Sequence, residues 1–110
     1  MSKVSGIILT YALAEPLMHG RDFPSREIND WLGAKDLQPL IWVDGAAAGW
    51  HPGCSIAIGG YNHFDEAGFS MFIERLPWAY PEDVVLVIHP DDGGARVVRP
   101  LLNEDQPSNP

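Results

Sequence analysis

The residues that could carry out chemistry in this sequence are gathered around one short apolar segment in the middle of the chain. His51 precedes that segment, and His63 and Asp65 follow it. Imidazole and carboxylate groups bind divalent metals and act as acids or bases in hydrolysis. An extended strand of about 12 residues would hold the two histidines far apart, because each residue adds roughly 3.3 Å. The spacing therefore favours surface histidines beside turns. We expect no metal or other cofactor. A metal-dependent hydrolase ranks last among the functions considered.

Cys54 is the single cysteine of the chain. A thiol becomes a nucleophile beside a base, and His51 and His63 are the candidate bases. Cys54 opens an apolar segment, however, and free cysteine is among the most buried residue types, so we expect a packing role. One cysteine cannot form an intramolecular disulfide, which favours a reducing, cytoplasmic location.

Two glycine-containing segments invite catalytic or nucleotide-binding interpretations that their spacing does not support. Asp91 and Asp92, followed by two glycines, have the composition of a hairpin turn. The small-residue loop at 45–53 has the spacing of neither glycine-rich phosphate-binding motif and has no lysine nearby. We predict a turn at the first segment and a connecting loop at the second.

Aromatic side chains beside loops are the best candidates for a binding site. Large rings with a polar group are typical of protein interfaces and of pockets that stack on a ligand. The alternative for each ring is partial burial at the edge of the core. With two neighbouring histidines, the predicted binding residues are Trp50, His51, Tyr61, His63, Trp78 and Tyr80.

The elements that must position these residues follow the order β-α-β-β-α-β-β. The segment at 4–13 is too continuously apolar for a strand with one wet face, so we expect it in the centre of the sheet. Gly59 and Gly60 should end the third strand, and Ser25 should cap the first helix. The order predicts an α+β fold, a ferredoxin-like split βαβ sandwich with two helices on one face of a mainly antiparallel sheet. The predicted strands are 4–13, 39–44, 54–58, 83–89 and 95–99. The first predicted helix is 25–33, and the second is capped by Asn62 or Asp65 and continues to about residue 76.

Length and composition limit the domain organisation. A chain of 110 residues with 45% hydrophobic content is enough for one core. We expect a single α+β domain at 1–100 and a flexible tail at 101–110, where polar residues and proline dominate. The longest apolar runs are far shorter than the roughly 20 residues that span a bilayer, so no membrane segment is expected.

The formal net charge of −8 bears on the partners. It disfavours direct contact with nucleic acid or an anionic membrane. Our first hypothesis is a non-catalytic acidic protein that binds a basic protein, as inhibitors, immunity proteins and phage accessory proteins do. The alternative is a small-ligand-binding protein with a pocket lined by Trp50, His51 and Tyr61, completed across a homodimer interface. Acidity that serves solubility alone is a further interpretation.

Overall fold

The computed structural model describes residues 4–19, 22–43 and 53–100, and within them the chain folds into five strands and three helices. A 3₁₀ turn at Pro81–Asp83 precedes the fourth strand. In chain order the elements are β1 (Val4–Ala12), α1 (Glu15–His19), α2 (Ser25–Gly33), β2 (Ile41–Val43), β3 (Cys54–Asn62), α3 (Glu66–Arg75), β4 (Val85–Pro90) and β5 (Arg96–Val98).

The strands form one antiparallel sheet in the order β2-β3-β1-β4-β5. β1 lies in the middle, as its continuous apolar character predicts, and it pairs along its whole length with β3. Successive side chains of a strand point to opposite faces. In β1 the buried residues are Ser5, Ile7, Leu9 and Tyr11, and the residues between them are exposed or half-buried. One face of the sheet is therefore covered, and the other is open.

The helices cover that buried face and complete the core. Ile28 and Leu32 of α2 and Phe69 and Ile73 of α3 are fully buried in one cluster with Leu9 of β1. Removing such a side chain from water contributes about 1.5–3 kcal/mol. The three- and four-residue spacing in each helix therefore places its apolar stripe on the sheet, as the sequence predicts.

The two longer helices begin differently. Asp65 caps α3, and its carboxylate accepts the N–H of Gly68 at 2.9 Å. The predicted capping of α2 by Ser25 is wrong, because Pro24 occupies the N-cap position. Ser25 Oγ instead donates backward to the carbonyl of Asp22 at 3.0 Å. The hydroxyl thus stabilises the preceding turn and leaves the first N–H groups of α2 without a side-chain cap.

The prediction that two glycines end the third strand is also wrong. β3 continues through Gly59 and Gly60 to Asn62, with Gly59 opposite Ile7 and Gly60 opposite Gly6. Glycine weakens an isolated strand because it loses more backbone entropy. Here the pairing with β1 holds the segment extended, so the tertiary contact overrides the local preference.

The described chain confirms the coarser predictions. It is a mixed α+β domain with an antiparallel sheet, and Asp91 and Asp92 lie in the turn between β4 and β5. None of its described helices has the length and apolar character needed to cross a membrane. The loop at 45–52 and the predicted tail at 101–110 lie outside the described residues.

Candidate functional site

The open face of the sheet is the most unusual surface of the described chain. Its residues are those that alternate with the buried ones along each strand, and the strand pairing places them side by side. We call this set the open face. It consists of Val4, Gly6, Ile8, Thr10, Ala12, Ile41, Val43, Cys54, Ile56, Ile58, Gly60, Asn62, Val85, Val87, His89 and Val97.

The open face is mainly apolar, with Thr10, Asn62 and His89 as its polar side chains, whereas the solvated face of an antiparallel sheet is ordinarily polar. None of its residues is Asp, Glu, Lys or Arg, although the chain carries 22 such residues by its count of 15 acids and 7 bases. Six of the ten exposed large hydrophobic residues in the described chain lie on it. A continuous apolar surface of this kind marks a site of contact with another molecule.

One row of β-branched side chains crosses all five strands of the open face. Each residue of the row is the direct pairing partner of the next. Ile41 is 70% exposed at one end and Val97 is 64% exposed at the other. We call this row the ridge, and it comprises Ile41, Ile58, Ile8, Val87 and Val97.

A cavity of about 470 Å³ lies at the end of β1 and β3. This volume falls in the range of small-molecule sites. Its polar groups come from Thr10, Cys54, Tyr80 and Asp83, and alanine, leucine and glycine residues form the rest of the wall. Cys54 is half-buried there, so the core-packing role predicted for it is wrong: as the first residue of β3 it lies at the rim of the sheet.

A buried carboxylate positions the connector that carries Tyr80. Glu15 in α1 is fully buried, and its oxygens accept the N–H groups of Ala79 at 2.6 Å and Tyr80 at 3.1 Å. His19, one turn along α1, lies 2.8 Å from the same carboxylate. Buried charge is tolerated only with such partners. Glu15 therefore fixes the wall of the cavity to the first helix.

Tyr11 and Trp42 form a polar contact on the covered side of the sheet. Trp42 Nε1 donates to the Tyr11 hydroxyl at 2.6 Å. Burial raises the pKa of Tyr11 above its ordinary value, and the hydrogen bonds with Trp42 and Ser55 lower it in part, while the nearby Glu15 carboxylate adds a smaller upward contribution. Tyr11 therefore stays protonated and serves as a structural hydroxyl.

The four predicted binding residues that the structure describes do not form one cluster. Tyr61 and Trp78 are buried in the core, 7% and 9% exposed, and each donates to a main-chain carbonyl: Tyr61 Oη to Gln38 at 2.8 Å, and Trp78 Nε1 to Ile73 at 2.7 Å. Burial also raises the pKa of Tyr61. These two rings are thus core members with satisfied polar groups, which was the alternative interpretation.

Of the other four predicted residues, the structure describes Tyr80 and His63. Tyr80 is half-buried and lines the cavity. His63 is exposed in the turn after β3, with a φ of 52°. Trp50 and His51 lie outside the described residues, so the pocket proposed around them is not placed. Their binding role stays a prediction.

The structure gives the candidate metal residues separate surroundings. Asp65 is engaged as the cap of α3, and His63 lies in the turn before it. Among residues 4–19, 22–43 and 53–100, no group of three or more His, Cys, Asp or Glu side chains could hold a metal ion. His51, the third member of the predicted set, is outside that part of the chain.

Comparison with known proteins adds no relative. No protein-family model, no curated protein and no solved structure matches the chain. The function of the two candidate sites, the open face and the cavity, therefore has to be inferred from their residues and geometry.

Proposed function

We propose that this chain is a non-catalytic binding protein and that the open face of its sheet is its contact surface for another polypeptide. The observation that carries the proposal is the composition of that face, which is apolar and free of Asp, Glu, Lys and Arg. The core of a protein interface is depleted of charge in the same way. An apolar area left in water would instead be an aggregation hazard.

A photoreactive side chain tests this surface directly. A benzoylphenylalanine placed at Val97, on the ridge, should form covalent adducts with a polypeptide in cells that make the protein. The same residue at Met71, which is 45% exposed on α3, is the matched control and should not. Introducing Ile8→Lys into the Val97 variant should abolish the adducts, because a charge then stands in the apolar contact. Equal labelling from both positions, or none from Val97, would contradict the proposal.

Outside the open face, the net charge of −8 favours contact with a basic protein. The acidic side chains of the described chain lie on helices, turns and connectors. Two arginines are already engaged within the chain, Arg96 with Glu66 and Arg99 with the carbonyl of Glu82. A partner held in this way should be lost at high salt, whereas one held by the open face should not. An inhibitor or immunity-type role, and the reducing cytoplasm favoured by the single cysteine, belong to this proposal.

The cavity supports a second candidate function, the binding of a small ligand. Asp83 is the only charged residue among the described residues that line it, and Tyr80 and Thr10 add hydroxyl groups. This composition suits a small amine. Such a ligand should raise the melting temperature of the protein. The shift should disappear in Asp83→Asn and persist in Asp36→Asn, an exposed carboxylate remote from the cavity lining.

We propose a ferredoxin-like arrangement for the fold. The first four strands lie in the order β2-β3-β1-β4, and every neighbouring pair is antiparallel. The connection through α2 passes over β3, and the connection through α3 passes over β1, as in two interleaved split βαβ units. β5 extends the sheet beyond β4, and α1 is an addition between β1 and α2.

A further inference from the structure

Two paired glycines on the open face lack an explanation among the described residues. Gly6 and Gly60 lie opposite each other on β1 and β3. A Cβ added at Gly60 would meet nothing closer than Ser5 O at 4.0 Å, and at Gly6 it would make ordinary contacts of 3.5 and 3.6 Å with His89. Neither glycine has a φ in the left-handed region. Glycine in a strand interior costs about 0.5–1 kcal/mol relative to alanine and often marks the close approach of another backbone or a ligand.

The neighbouring glycine of the same strand has an internal explanation. A Cβ at Gly59 would lie 2.7 Å from Leu40 Cδ2 and 2.9 Å from the Tyr61 hydroxyl. Gly59 points into the core, so a side chain there would require Leu40 or Tyr61 to shift. The contrast indicates that Gly60 responds to something other than the described residues.

The glycine pair forms a trough that runs parallel to the ridge. Ile8 and Ile58 of the ridge are two residues along the strands from Gly6 and Gly60, a separation of about 7 Å. His89 of β4 continues the row beside Gly6. We call Gly60 and Gly6 the trough, and the larger side chain of His89 bounds it at one end. The row of large side chains in the ridge therefore lies beside two positions that have no side chain.

This pair of rows is self-complementary. In a two-fold dimer each copy offers the same patch to the other. A two-fold axis that runs across the strands, midway between ridge and trough, brings the ridge of one copy over the trough of the other. Ile8 then lies over Gly6 of the second copy, and Ile58 over Gly60. Sheets that pack face to face in this way keep their strands within about 30° of each other.

The size and charge of the open face fit a second copy. At a strand spacing of about 4.8 Å and a rise of about 3.3 Å per residue, the face covers roughly 500 Å² in projection. Two such faces bury about 1,000 Å², the minimum expected of a specific interface. A chain with a net charge of −8 repels its copy through any acidic surface. The open face has no acidic residue, so it is the surface on which two copies can meet.

We propose that the open face closes against a second copy of this chain, with the ridge of each copy seated in the trough of the other. This inference rests on the proposed function, since it names the polypeptide that the open face contacts. Short edge strands support stacking of faces over pairing of edges: β2 and β5 have three residues each.

Sedimentation equilibrium of the full chain over a wide range of protein concentration tests the proposal. The wild type should have a mass of about 24 kDa, twice the 12.1 kDa of one chain. Ile8→Lys should raise the dissociation constant at least about a hundredfold, because each dimer would bury two charges. Met71→Lys changes a side chain of similar exposure, 45% against 41%, and should leave the mass unchanged.

Gly60→Val tests the seating of the ridge. A branched side chain fills the trough and should raise the dissociation constant at least about tenfold, while the monomer stays folded by circular dichroism. Val97→Lys, on the edge strand, gives the charge test again should Ile8→Lys fail to fold.

A monomeric wild type overturns the proposal, as does a dimer that Ile8→Lys and Gly60→Val leave intact. A dimer broken by Ile8→Lys but not by Gly60→Val overturns the seating of the ridge in the trough. A monomeric wild type that still forms adducts with another protein through Val97 would refute the second copy and keep the proposed function. The absence of adducts would refute both.

Discussion

Adjacent residues of the same strands lie in two different environments, one on each face of the sheet. Leu9 is fully buried beneath the helices, and its neighbour Ile8 is 41% exposed on the open face. Gly59 has no room for a side chain, and Gly60 has room that goes unused. On the covered face, each residue type is explained by what the chain itself packs there. On the open face the residues are also mainly apolar, and nothing in residues 4–19, 22–43 and 53–100 covers them.

The difference shows how a surface for a partner can be recognised without a relative to compare. A residue type that costs stability, and that neither packing nor backbone conformation requires, points to a contact outside the chain. The glycine pair of the trough meets both conditions. The exposed apolar side chains of the neighbouring ridge indicate the same contact.

The largest effect that separates the two faces should come from Leu9→Ala and Ile8→Ala. Leu9→Ala leaves a cavity in the core and should lower the free energy of unfolding by about 2–5 kcal/mol at every protein concentration. Ile8→Ala should lower it only at concentrations where the wild type is associated. Urea denaturation at several concentrations measures both. Equal, concentration-independent losses would show that the open face belongs to the same core.

Glu15→Ala should have the next largest effect. It leaves the N–H groups of Ala79 and Tyr80 without the acceptors that Glu15 provides, at a cost of about 3 kcal/mol in the free energy of unfolding. Glu15→Gln retains one acceptor oxygen and should lose less. Glu27→Ala, at an exposed site of α2, is the control. If Glu15→Ala and Glu27→Ala lowered the free energy of unfolding equally, the stabilising role of the Glu15 carboxylate would be refuted.

The two neighbouring glycines offer a smaller and sharper contrast. In an Ile8→Lys background, which should keep the chain monomeric, Gly59→Ala should lower the free energy of unfolding by about 1–3 kcal/mol through overpacking against Leu40 and Tyr61. Gly60→Ala should raise it by about 0.5–1 kcal/mol. Thermal denaturation compares the two variants. A destabilising Gly60→Ala would mean that the monomer itself requires this glycine.

The smallest effect concerns pH on the covered face. The pKa of Tyr11 is raised on folding, so the folded state keeps its proton to higher pH than the unfolded chain. Its contribution to stability is present below a pH of about 10 and is lost as pH rises through the raised value. Absorbance titration should show two late tyrosines, Tyr11 and Tyr61, and Tyr11→Phe should remove one of them. Trp42→Phe removes a donor that lowers this pKa, so Tyr11 should titrate later still; an unchanged or earlier titration would refute that role.

The sequence alone predicts the larger elements because they carry strong periodic patterns. The central position of β1 follows from its continuous apolar residues, and α2 follows from the spacing of Ile28 and Leu32. α1 has only five residues, too few for a periodic pattern. The course of β3 through Gly59 and Gly60 depends on pairing with β1, which local preference does not contain.

The candidate site was less accessible to sequence reasoning. Contacts such as that of Glu15 with Ala79 join residues 64 positions apart, and no local pattern indicates them. The positions of Tyr61 and Trp78 next to turns predict binding residues. In the structure both rings lie in the core, and their polar groups donate hydrogen bonds to main-chain carbonyls. One feature of the sequence indicates the open face. In β1, apolar residues occur at both the odd and the even positions, so both faces of this strand carry apolar side chains. Only the register shows that the exposed set continues across every strand.

The central claim is that the open face is closed by a second copy, and contacts between copies measure it most directly. In a mixture of ¹³C-labelled and unlabelled chains, isotope-filtered NOE spectra should connect methyl groups of Ile8 and Ile58 in one copy with the Hα atoms of Gly6 and Gly60 in the other. Contacts between copies that arise only from the helices, or none at all, would contradict the claim.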